Sequence, residues 1–62
     1  MKEVATITFR DLETHDEAIA VVRQDDRSVA LCLAVHRVAD VEVVMSKDDA
    51  RKLLEALRVA VT

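Results

Sequence analysis

Three side chains in this sequence have the chemistry of a nucleophile, a general base or a soft metal ligand: His15, Cys32 and His36. Cys32 and His36 lie at i and i+4 in the alternating stretch SVALCLAVHR, residues 28–37, so both fall on one side of a strand. Two strand intervals put them about 13 Å apart, too far for a thiolate–imidazole pair within one chain. Two copies related by an antiparallel two-fold could bring Cys32 of one towards His36 of the other, and only there would metal or redox chemistry find a geometry. A thiol acts as a nucleophile only as thiolate, which needs a nearby cation or a helix N-terminus. Flanked by Leu31 and Leu33, Cys32 reads as a small buried hydrophobe. His15 stands alone in an acidic segment and reads as solvent-exposed.

That segment, DLETHDE at 11–17, concentrates Asp11, Glu13, Asp16 and Glu17. A calcium loop needs oxygens at alternating positions and a glycine for its sharp turn. The chain has no glycine, and His15 interrupts the oxygens, so the segment reads as a solvated loop. The missing glycine also excludes dinucleotide and P-loop phosphate cradles and the nucleophile elbow of the GxSxG type. Carboxylates for acid–base work are plentiful, but 62 residues leave little room for a ligand pocket of about 300 Å³. No catalytic group, cofactor or metal is expected, and the chain does not read as an enzyme.

Arg10, Arg23, Arg27 and Arg37 fall near strand ends and could gather in a dimer to meet phosphates. Their acidic neighbours Asp11, Asp25 and Asp26 point instead to surface ion pairs. A net charge of −3 opposes general phosphate binding, and a single aromatic residue, Phe9, leaves little to stack bases. A small nucleic-acid-associated protein using these arginines is the alternative reading.

The clearest element is the C-terminal stretch SKDDARKLLEALRVAVT, residues 46–62. Ser46 suits an N-cap, its hydroxyl accepting from the free N–H of Asp48 or Asp49. Asp48 and Asp49 favour the positive end of the helix dipole and Arg58 the negative end. Ala50, Leu53, Leu54, Leu57 and Ala60 or Val61 make one apolar stripe. Asp48 and Lys52 are placed for an i, i+4 ion pair.

The rest alternates as strands do. Residues 3–10, EVATITFR, form the first. Residues 17–24 form the second, although Thr14-x-x-Glu17 also fits a capping box that would begin a helix. Asp25-Asp26-Arg27 should turn the chain, aspartate tolerating a left-handed backbone. Residues 28–37 form the third strand, Val38-Ala39-Asp40 a turn, and Val41 to Met45 the fourth. The expected fold is α+β in a single domain: an antiparallel meander of three or four strands with the C-terminal helix packed on one face, β-β-β-β-α.

Large side chains occupy odd positions throughout: Ile7, Phe9, Ile19, Val21, Leu31, Leu33, Val41 and Val43. Counting by twos, these form the helix-side face. The opposite face then presents Ala18, Ala20, Val22, Ala30, Cys32, Ala34 and Val44, rimmed by Thr6, Thr8, Arg10, His36 and Glu42. An apolar centre with a polar rim is how an interface is built. A chain this short is marginal alone, and one cysteine excludes an intrachain disulfide. The expectation is therefore an interaction or regulatory module: a homodimer packed through these seven residues, or through paired β3 edges, that also binds another protein. No hydrophobic run approaches the ~20 residues that span a bilayer, so no membrane is expected as partner. The unpaired cysteine fits a reducing, cytoplasmic setting.

Overall fold

The computed structural model describes residues 1–36 and 39–62, with Ala39 described by its backbone alone. Four strands, β1 (Lys2–Arg10), β2 (Glu17–Gln24), β3 (Ser28–Val35) and β4 (Ala39–Ser46), are followed by one helix, α1 (Lys47–Ala60). Each strand pairs antiparallel with the next, in the order β1-β2-β3-β4. The β-branched alternation of residues 17–24 prevails over the capping box at Thr14, and the segment is a strand. β3 ends earlier than expected, at Val35. His36 sits in a turn and donates its backbone N–H to the Glu17 carbonyl at 2.9 Å. Of the expected turn at 38–40, Ala39 and Asp40 belong to β4, while Val38 lies outside the described residues.

α1 starts as its sequence prescribes. Ser46 is both the last residue of β4 and the N-cap, with an extended backbone and its hydroxyl accepting from the Asp49 N–H at 3.0 Å. The ion pairs run i to i+3: Arg51 with Asp48 at 2.7 Å, Lys52 with Asp49 at 3.5 Å, and Arg58 with Glu55 at 2.7 Å. The expected Asp48–Lys52 pair gives way because Arg51 reaches Asp48 and leaves Lys52 to Asp49. All three pairs are exposed, so water screens them and each adds little to stability.

The β1–β2 and β2–β3 turns are each built by an aspartate side chain. In the β2–β3 turn the Asp25 carboxylate accepts from the Arg27 N–H at 2.9 Å, the Ser28 N–H at 2.8 Å and the Ser28 hydroxyl at 2.8 Å. In the β1–β2 turn the Asp11 carboxylate accepts from the Glu13 N–H at 2.8 Å and the Thr14 N–H at 3.0 Å. These bonds hold both carboxyls below the usual aspartate value. For Asp11 the Thr14 N–H contributes most, for Asp25 the Arg27 N–H. Neither Asp25 nor Asp26 adopts the left-handed backbone expected in the β2–β3 turn; in the β1–β2 turn His15 does, with φ 66°, and its N–H closes a helical turn onto the Asp11 carbonyl at 2.9 Å.

These turns decide which side chains share a face. Asp25 bonds Ser28 across the β2–β3 turn, leaving two residues at its tip, not three. The β1–β2 connection between the paired Arg10 and Glu17 also holds an even number of residues. An even loop pairs residues of opposite number parity, so β2 is inverted relative to the count by twos. Val22 stands opposite Leu31 and Ala5, Ala20 opposite Leu33 and Ile7, and Ala18 opposite Val35 and Phe9. Ile19 and Val21 fall on the other face, opposite Ala34 and Cys32. Between β3 and β4 parity is kept, with Leu33 opposite Val41 and Ala30 opposite Val44.

Candidate interaction surface

The register divides the expected interface. Ala18, Ala20 and Val22 lie on the helix side, among Ile7, Phe9, Leu31 and Leu33. Ala30, Cys32, Ala34 and Val44 lie on the reverse side, among Ile19 and Val21. The seven residues therefore do not form one surface. β3 edge pairing is closed as well, because β3 lies inside the sheet with β2 and β4 on its two sides.

The reverse side carries a strap. Arg23 of β2 stands opposite Ala30, and Glu42 of β4 stands opposite Cys32. Their side chains meet at 3.3 Å, so the pair passes over β3 where its residues are smallest. Ala30 is only 1% exposed beneath it. The small residues there make room for a crossing Arg stem, whose methylenes cover apolar surface while the head stays wet. Cys32 stands opposite Glu42 beside the same strap and is half-buried. His36 is exposed at the end of β3. His15 is exposed in its turn, as expected. Among the described residues no three His, Cys, Asp or Glu side chains are grouped to hold a metal ion.

The helix side is the barer one. α1 begins above β4, an edge strand, with no linker, and among the described residues its backbone lies against β3 and β4. A helix about 10 Å across covers about two strands at ~4.8 Å spacing, so β1 and most of β2 stay beyond its reach. None of its residues is buried. Between its Leu53, Leu54 and Leu57 and the sheet residues Val22, Leu31 and Met45 runs an apolar cleft of about 220 Å³. Further along the strands, Ile7, Ala20, Leu33 and Val41 form one cross-strand row, and Ile7, Leu33 and Val41 are each about half open to water. Phe9 is 49% exposed beside them, and Ala18, 3% exposed, sits in register between Phe9 and Val35.

The whole chain is correspondingly thin, 34 × 29 × 15 Å, with a Cα radius of gyration of 12.5 Å against about 10.6 Å expected at this length. Its accessible surface is 5153 Å², where a folded chain of its mass exposes about 4,000 Å². Ala18 and Ala30 are the buried apolar residues among those described.

Within one chain the described arginines of the strand-end group stay apart. Arg10 ends β1 at one end of the sheet and bonds the His15 carbonyl, whereas Arg23 and Arg27 lie towards the other end. Arg37 lies outside the described residues. No helix among the described residues is long and apolar enough to cross a membrane.

Counting by twos grouped seven residues on one face, and the register divides them between two. The signals that count passed over are Asp25-x-x-Ser28 and Asp11-x-x-Thr14, where an aspartate caps backbone N–H groups two and three residues on. In comparisons with family models, curated proteins and solved structures, nothing matches this chain.

Proposed function

We propose that this chain is a non-enzymatic interaction module that works as a homodimer and, so assembled, binds or regulates another protein. The observation that carries the reading is the surface. Each chain exposes about 1,150 Å² more than a folded monomer of its mass, or about 2,300 Å² for a pair. Obligate homodimer interfaces begin at about 2,000 Å². The fold has little interior of its own, and a second subunit supplies what disulfides or metals supply to other small domains. A lone thiol is compatible with the reducing cytoplasm. The separated arginines and the Arg23–Glu42 pair give the nucleic-acid reading no support.

Light scattering on a size-exclusion column at micromolar concentration tests the reading. The chain has neither Trp nor Tyr, so refractive index must serve as the concentration detector. A dimer is expected. A folded monomer at that concentration refutes it.

A further inference from the structure

We infer that the dimer closes over the helix-side face, and that what covers the Ile7–Ala20–Leu33–Val41 row and the neighbouring Phe9 is a second copy of this chain. The inference rests on the homodimer reading and adds to it the surface that mates.

Three observations point to this face. First, the chain cannot cover it alone, because the direct joint at Ser46 holds α1 over β3 and β4. Second, among the described residues it carries no charged strap of the kind that Arg23 and Glu42 lay across the reverse side. Drying the reverse face would strip water from that ion pair, and desolvation of charges opposes such burial. Third, Ile7, Phe9, Leu33, Val41 and Val43 of this face each stay about half exposed, and the chain's excess surface of about 1,150 Å² is of the size that one face of a homodimer removes from water. A two-fold interface is self-complementary, so one apolar row serves both partners. The apolar cleft beside Leu54 opens next to this row and adds a recess into which a partner side chain can insert.

β4 supplies a matched pair of variants. Val41 faces the helix side and is 57% exposed in the subunit; Val44 faces the reverse side and is 59% exposed. Lysine therefore disturbs the isolated subunit about equally at either position. Val41→Lys is expected to raise the dimer dissociation constant at least about a hundredfold, the consequence of a buried unpaired ammonium. Val44→Lys is expected to leave it within a few-fold. The opposite pattern, or equal effects from both, overturns the inference while leaving a dimeric wild type in place. A wild-type monomer sinks the homodimer reading beneath it, and is the result if the face is kept for a different protein.

Should either lysine variant fail to fold, two single-indole variants replace them. With no native Trp, Phe9→Trp and Thr8→Trp report on opposite faces of β1. The Phe9→Trp emission should shift blue and resist acrylamide as concentration carries the protein into the dimer, and the Thr8→Trp emission should not. Shielding at Thr8→Trp with none at Phe9→Trp refutes the assignment.

Discussion

Replacing Phe9 with alanine measures how much the uncovered face contributes to association. Phe9 leaves 49% of its surface open in the subunit. An aromatic side chain offers roughly 200 Å², so about 100 Å² per protomer remains for the partner to cover. At about 25 cal/mol per Å², that area stabilises the dimer by about 2.5 kcal/mol. A two-fold interface uses the residue twice, giving about 5 kcal/mol and a dissociation constant raised about 10³- to 10⁴-fold. Sedimentation equilibrium across a wide concentration range reads that shift. Truncation also removes contact between Phe9 and its neighbours within the subunit, Ala18 among them. Urea unfolding at several protein concentrations separates the two losses, because only the association term varies with concentration. A dissociation constant changed less than tenfold would mean that Phe9 stays wet in the assembled protein, and the argument from exposed area would fail.

Two further outcomes follow from the turns. His15→Gly should stabilise the subunit by about 0.5–1 kcal/mol, because the left-handed backbone penalises a Cβ more than glycine's added chain entropy costs; a lower urea midpoint would show that the imidazole makes a contact worth more than the relief. Asp11 and Asp25 have depressed carboxyl values through their backbone partners, so their stabilising effect is complete above the ordinary 3.8 and is lost as pH falls through the lower folded values. Asp25→Asn should therefore flatten the fall in urea midpoint as pH drops below the ordinary 3.8, and an unchanged acid profile would remove Asp25 from the account.

The elements were readable because each rests on local chemistry, although β3 stops at Val35 and β4 already begins at Ala39. Thr6, Ile7, Thr8 and Phe9 alternate as a strand does, and Ser46 with Asp48 and Asp49 announces a helix. Relative facing was not readable by the same means, because it depends on how many residues each loop holds. Reading Asp25-Asp26-Arg27 as a three-residue turn keeps Val21 with Leu31. The observed closure from Asp25 to Ser28 puts Val22 there instead. One residue in one turn, with its counterpart at 11–16, moves Ile19 and Val21 from one face to the other. Size matching was a second available clue. Ala18 and Ala20 are small where β1 offers Phe9 and Ile7, and Ala30 and Cys32 are small where β2 offers Arg23 and Val21. Large beside small across strands fills a sheet face more evenly than large beside large. The reach of Arg23 across β3 to Glu42 had no sequence signal short of the register itself.

The strict meander has a kinetic corollary. Every strand partners the one synthesised just before it, so no pairing waits for a distant segment to arrive. Closing a short loop costs little entropy, and chains dominated by such near-neighbour pairings reach their native topology quickly. Three hairpins and a helix can zip up unimolecularly; in the proposed dimer, the meeting of two finished subunits would be the one event whose rate depends on how crowded the solution is.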